Sequence, residues 1–280
     1  MKNLPLRAFL GILSVILLLP LVMTVLYSFA APAEIKAFLA TRGSFAQDAW
    51  MEIKLAPKLL SLRQYYDVLI GDEAMLRLYA NSAMYTAMIL LGQALVIPMM
   101  AYALSRFAFP GRDVVFFMVI MLMLLPFQVT MVPNVLTLRR LNLMNTVWAV
   151  VLPSVFAPFY IFLLRQYMLS IPEEIFEAGR IDGAGSWRLL LHVLLPVSKP
   201  IIGCAVALSF AEGWSLVEQP LAYLSENAGL MPLSVMFNQL SDAADGVKFA
   251  GSALYILPAL FVYMFFRDDI LDGIQLTEMK

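Results

Sequence analysis

Glu212 and Glu218 lie inside an otherwise apolar stretch, residues 200–224. An ionised acid in such a stretch costs several kcal/mol in a bilayer (~2.5–3.5 for Asp on one insertion scale) unless it meets water or a partner. At 1.5 Å per residue, Glu212 falls about 18 Å into the stretch, near mid-membrane. Gln219 follows seven residues later, about two turns on, so one continuous helix puts both on a single face. Trp214 lies between them. Carboxylate, amide and aromatic ring suit recognition of a hydroxyl-rich solute, through hydrogen bonds and ring stacking. Glu212, Trp214 and Gln219 are therefore candidate lining residues of a solute pathway. Gln128, polar within another apolar stretch, is a fourth, and Asn134 lies near it. A second reading stays open: Glu212 pairs with a neighbouring chain, Glu218 reaches the outer interface, and Gln128 and Asn134 hydrogen-bond across helices.

Other chemistries find little support. An intramembrane enzyme needs paired carboxylates or a nucleophile with its base, and only Glu212 approaches such a set. The chain has one histidine, His192, and one cysteine, Cys204. No intrachain disulfide and no multi-histidine or cysteine metal site is expected. His192 reads as a surface or packing residue, and Cys204 as a small core residue. The Gly-x-x-x-x-Gly-Lys-Ser/Thr phosphate loop is missing, so the chain is not itself an ATPase. A net charge of −1 argues against a nucleic-acid partner.

A further set of acids, Glu173, Glu174, Glu177 and Asp182, stands in a polar stretch too regular for a passive linker. Residues 173–181 predict a short helix after Pro172, with its acids toward the positive N-terminal end. Gly183 and Gly185 break it. Ser186 is expected to cap a second helix running to Leu195, with Pro196 following. The result is a helix–turn–helix elbow, a shape that can enter a cleft on another protein as one rigid piece.

The elements that position these groups follow from composition. The chain of 280 residues is 61% hydrophobic and only 14% charged, where soluble domains run at roughly 45–50% and about 25%. Six stretches are long and apolar enough to cross a bilayer: 9–29, 79–104, 114–136, 146–164, 200–224 and 249–266. The expected fold is an all-α membrane protein of six transmembrane helices. It divides into an N-terminal helix (1–30), an external loop (31–77), a five-helix core (78–268) holding the elbow at 170–200, and a tail (269–280). Lys2 and Arg7 ahead of the first apolar run resemble a signal peptide, but the run is long and more spans follow, so it reads as a retained helix. Pro98, Pro126, Pro133, Pro153, Pro158, Pro220 and Pro258 lie in or near spans and suit a packed bundle with bends. Gly229, Pro232 and Gly246 are expected turn-formers after the fifth span. With both ends inside, ten of nineteen basic residues fall on the inner side, and six of the outer nine sit in one long loop. Arg139 and Arg140 break the rule in a short outer loop.

The polar stretch resembles the EAA loop of ABC importer permeases. That pattern is Glu-Ala-Ala, three residues, Gly, nine residues, Ile, one residue, Leu-Pro. Here Glu177-Ala178-Gly179 is followed at the same spacing by Gly183, Val193 and Leu195-Pro196. Gly179 replaces Ala, which loosens the helix by ~1 kcal/mol, and Val193 replaces Ile. Asn81-Ser82, Ser105-Arg106-Phe107, Leu141-Asn142-Leu143-Met144-Asn145-Thr146 and Trp214-Ser215 extend the likeness over nearly the whole chain. In the third of these stretches Asn142 stands where the family has Gly. Together they indicate the carbohydrate-uptake branch, similar to the smaller, six-span permease type of maltose importers. The resemblance implies a second homologous permease, two ABC ATPase subunits that bind ATP and Mg, and an external solute-binding protein. It implies a bacterial or archaeal cytoplasmic (inner) membrane with both termini cytoplasmic. It further implies that Glu173, Glu177, Ala178, Gly179, Asp182 and Gly183 couple the permease to the ATPase. Gly183→Asp is then expected to uncouple or disrupt the complex.

Overall fold

Three breaks in this chain fall at a residue that precedes proline. Pro126, Pro158 and Pro172 each crowd the preceding residue out of the helical region. Leu125 (φ −77°, ψ 127°), Ala157 (−112°, 94°) and Ile171 (−74°, 127°) are accordingly extended. A computed structural model describes residues 4–40, 56–71, 73–236 and 245–278, and these are helices joined by turns. Lys2, Arg42, Lys54, Lys280 and parts of the loops 31–78 and 225–248 lie outside the described residues.

The helices are α1 (Leu4–Ser28), α2 (Pro32–Ala40), α3 (Arg63–Tyr66), α4 (Glu73–Arg106), α5 (Arg112–Leu124), α6 (Phe127–Arg140), α7 (Val147–Val155) and α8 (Pro158–Ser170). They continue as α9 (Glu173–Ile181), α10 (Ser186–Leu189), a π turn (Leu190–Leu194), α11 (Leu195–Val197), α12 (Lys199–Trp214), α13 (Glu218–Tyr223), α14 (Leu233–Met236) and α15 (Asp245–Glu278). Among the described residues four helices are long and apolar enough to cross a membrane, with α7 and α8 counted as one, or up to six if each bent pair is one span. The bent pairs are α5 with α6, at 109°, and Ser186–Val197 with α12, at 78°.

Several expected boundaries change. Residues 114–136 are two helices rather than one, because Pro126 stops α5. Residues 200–224 are also divided: α12 ends at Trp214, and α13 restarts at Glu218. Pro220 explains the restart, since a proline has no N–H to give a continuing helix but fits a first turn. The last helix runs on to Glu278, past the charged group Arg267-Asp268-Asp269. Gly246 lies inside α15 rather than in a turn.

The chain forms two compact units. In the first, Met1–Arg77 with Met236–Pro258, Tyr27, Ala30 and Ile35 are buried, and Phe249 packs against them. An isolated bridge joins Ala30 to Leu60. The Glu34 carboxylate accepts from the Lys58 and Leu59 N–H groups at 3.0 and 3.2 Å.

The second unit, Leu78–Val235 with Ala259–Lys280, holds the larger core. One buried cluster joins Ala101 and Leu104 of α4, Ile161 and Leu164 of α8, Phe176 of α9, and Leu194 of the π turn. At the other end of α4, the Asn81 amide donates to the Gly229 and Met231 carbonyls, each at 2.9 Å. The Ser82 hydroxyl accepts from the Leu233 N–H at 3.0 Å. The Asn-Ser pair thus pins the segment that follows α13. Asn142 (φ 55°) and Asn145 (φ 61°) both take the left-handed region, which asparagine enters more readily than most residues. That is why Asn can stand where the resembling turn has Gly.

Candidate functional site

The elbow is built by a Schellman turn. Gly183 has φ +77°. The Ala184 N–H donates to the Gly179 carbonyl at 2.9 Å and the Gly183 N–H to the Arg180 carbonyl at 3.0 Å. These are the two paired bonds of that motif, which close the orphan carbonyls of α9. Glycine takes this conformation freely, whereas other residues are disfavoured by ~1–2 kcal/mol. Gly179 has a packing role as well: a Cβ there would lie 2.6 Å from Leu189 Cδ2. The residue that loosens α9 also lets the second arm of the elbow approach the first.

Ser186 does not cap that second arm. Gly185 occupies the N-cap position, and Ser186 lines a groove with Tyr102 of α4 instead. The arm also passes the expected end at Leu195 and includes Pro196. The π turn covers residue 192, the position whose carbonyl the Pro196 ring would strike in a regular helix.

The elbow has two faces. Phe176, Leu189, Leu190 and Leu194 are buried. Burying a phenylalanine fully stabilises by roughly 1.5–3 kcal/mol, so Phe176 is a substantial anchor. On the outer side Glu174, Glu177, Ala178, Asp182 and Gly183 are exposed. So are Ile181, at 85%, and Trp187, at 64%. His192 is exposed, in keeping with a surface residue. Glu173 differs from the other acids because it is held at the base of the elbow. Its carboxylate accepts from Arg106 Nη1 at 2.5 Å and from Arg180 Nη1 at 3.2 Å.

Arg106, the last residue of α4, is the centre of that base. Its Nη2 donates to the Met168 and Ile171 carbonyls at 2.5 and 2.6 Å. Its guanidinium carbon sits 4.0 Å from the Phe176 ring centroid. Arg165 of α8 answers it, with Nε donating to the Leu104 carbonyl at 3.1 Å. The Arg165 guanidinium lies 3.6 Å over the Phe116 ring. Neither contact is visible in spacing along the chain, because each joins residues about 60 positions apart.

The candidate pathway residues are dispersed. Glu212 is exposed near the end of α12. Trp214 is buried and stacked on Phe210, with ring centroids 5.7 Å apart. The break at 215–217 puts Glu212 and Gln219 on separate helices, so a two-turn spacing does not give them one face. Gln128 donates to Glu218 Oε1 at 3.2 Å, and Asn134 to the Tyr223 hydroxyl at 3.3 Å. Both bonds run from α6 to α13. A further polar group went unnoticed in the sequence: buried Gln93 donates to the Ser154 carbonyl at 2.9 Å and accepts from the Ser209 hydroxyl. The signal was present, since Gln93 is an amide inside an apolar stretch. Cys204 is buried and free.

Comparison with known proteins gives consistent relatives. The family described as binding-protein-dependent transport system inner membrane component matches residues 94–270. The arabinooligosaccharides transport system permease protein AraQ of Halalkalibacterium halodurans is 29% identical over 208 residues, covering 72% of this chain and 73% of its own. The sn-glycerol-3-phosphate transport system permease protein UgpE of Pectobacterium atrosepticum is 31% identical over 66% of this chain and 67% of its own. The diacetylchitobiose uptake system permease protein NgcG of Streptomyces coelicolor is 29% identical over 93% and 83%. A crystal structure of a bacterial ABC transporter involved in the import of the acidic polysaccharide alginate contains a chain of the same fold. That chain superposes with a TM-score of 0.81 at 23% identity, over 95% of each chain.

Proposed function

We propose that this chain, which belongs to the family of binding-protein-dependent transport system inner membrane components, forms half of the translocation pathway of an ATP-driven importer for a carbohydrate or related polyol. In this reading α1, α4, α5 with α6, α7 with α8, α12, and α15 are the six spans, and both termini are cytoplasmic. The elbow α9–α11 faces a partner ATPase and is the EAA-type coupling element. The working particle holds a second homologous permease, two ABC ATPase subunits that bind ATP and Mg, and an external solute-binding protein. The chain is a transport subunit with no ATPase site of its own.

The elbow carries the reading. It joins the EAA spacing to a rigid turn at Gly183, an anchored inner face and an exposed outer face of acids with Ile181 and Trp187. Closure of the ATPase pair on ATP moves the elbows, and the bundles switch from inward-open to outward-open. Solute then passes from the binding protein into the cavity, and hydrolysis resets the cycle. Purification of the chain from its native membrane tests this. A nucleotide-binding subunit is expected in stoichiometric amount, and a transporting particle without one rules the proposal out.

Glu212 is proposed to accept a hydrogen bond from solute within the pathway. A hydrogen bond to a charged group is worth ~1.5–3 kcal/mol, so Glu212→Gln is expected to weaken apparent solute affinity about tenfold or more. Uptake kinetics, normalised to the amount of assembled particle, measure it. Unchanged affinity and rate would remove Glu212 from the pathway.

A further inference from the structure

We propose that Arg106 is the positioning residue that makes α4, α8 and the elbow move as one lever. The inference rests on the coupling function proposed above and assigns it a mechanical joint.

The ends of α4 and α8 each leave carbonyls without helical partners. Each end is closed by an arginine from the other helix: Arg106 donates to the Met168 and Ile171 carbonyls, and Arg165 donates to the Leu104 carbonyl. Cations are favoured at helix C-termini, so charge and hydrogen bonding act together. Because these three bonds run in opposite directions between the helices, neither helix can slide or turn past the other without stripping carbonyls at both ends. The Arg106 side chain is only 9% exposed, so water competes poorly for these bonds.

Arg106 alone adds a third attachment, to the elbow. Only Ile171 and Pro172 lie between α8 and α9. Ile171 is extended and Pro172 has no N–H, so no helical hydrogen-bond ladder crosses the joint. Unbraced, the elbow would pivot there. The Arg106 guanidinium bridges the gap by holding Glu173, the first residue of α9, and lying on the Phe176 ring. Arg180 shares the same carboxylate from within the elbow. Glu173 therefore belongs to the brace, unlike the outward-facing Glu177 and Asp182. A lysine keeps the charge but lacks the planar fork needed to serve two carbonyls and a carboxylate at once.

The test uses the full importer with its co-purified subunits, with ATP and vanadate as the only probes. In a Cys204→Ser background, spin labels are placed at Leu95→Cys on α4 and Glu174→Cys on α9, both exposed positions. The distance between them is read by pulsed electron resonance, with and without nucleotide. With Arg106 present, one narrow distance is expected in both states. With Arg106→Lys, the distance is expected to broaden and shift on adding ATP and vanadate. Glu173→Gln removes only the elbow side of the brace and is expected to shift it in the same direction, which covers failure of Arg106→Lys to fold. A distance as narrow and unmoved in both variants as in the parent overturns the proposal, and so does a parent distance that itself moves with nucleotide. A particle that purifies without an ATPase instead defeats the coupling function beneath it.

Discussion

Gly183→Val is expected to lower uptake by at least tenfold while the permease remains in the membrane with its partners. Gly183 holds φ +77°, and a β-branched residue is a genuine outlier there. The penalty is ~1–2 kcal/mol for the backbone alone. Escape from it sacrifices the paired bonds to the Gly179 and Arg180 carbonyls, each worth roughly 0.5–1.5 kcal/mol. A total of about 1.4 kcal/mol already changes a conformational equilibrium tenfold, which is the basis for the expected loss. The chain supplies its own control, since Asn142 and Asn145 already occupy the left-handed region. Gly183→Asn is therefore expected to be clearly milder than valine. Uptake by cells carrying the intact importer, with particle amount measured separately, checks the order. A valine variant that transports like the parent would show that the turn does not transmit the stroke.

The second large effect is expected in the bundle. A Cβ on Gly92 of α4 would lie 2.4 Å from Val155 Cγ2 and 3.3 Å from Val155 Cβ. Small residues at such crossings let helix backbones approach closely, and in a membrane this packing replaces the hydrophobic drive of water. Gly92→Ala is expected to push α4 away from α7, at a cost of ~1–3 kcal/mol for overpacking. The nearby Gln93 bonds to Ser154 and Ser209 would be strained by the same displacement. Val155→Ala removes the offending methyls, so Gly92→Ala with Val155→Ala is expected to regain most of the loss. The fraction of protein surviving mild heating in detergent reads this directly. If the double variant is no more stable than Gly92→Ala alone, the crossing is not the cause.

Much of this molecule was legible along the chain. Local physics decided it: apolar length marked candidate membrane-crossing helices, Pro172 and Gly183 marked the start and turn of the helix pair, and the spacing from Glu177 to Pro196 carried the family likeness. These features depend on a few neighbouring residues, and steric rules act over that range. The fold and family agree with them, as the likeness to AraQ, UgpE and NgcG and the superposed alginate-transporter chain show.

What the tertiary structure alone decided involves residues far apart. Pro126 was visible, but not that it would turn α6 by 109° from α5. Glu212 and Gln219 had a helical spacing, yet Pro220 restarted the helix between them and removed their common face. Ser186 had a cap's chemistry, yet Gly185 took the N-cap position and Ser186 became the first residue of the helix. Gly179 read as a weakness until Leu189 was found where its Cβ would be. Arg106 looked like one more inner-side charge, and became a brace only when Met168, Ile171, Glu173 and Phe176 gathered around it. Sequence patterns report what a residue can do with its neighbours. Which distant group satisfies a guanidinium, an amide or a hydroxyl is settled when packing removes water and leaves each polar atom few available partners.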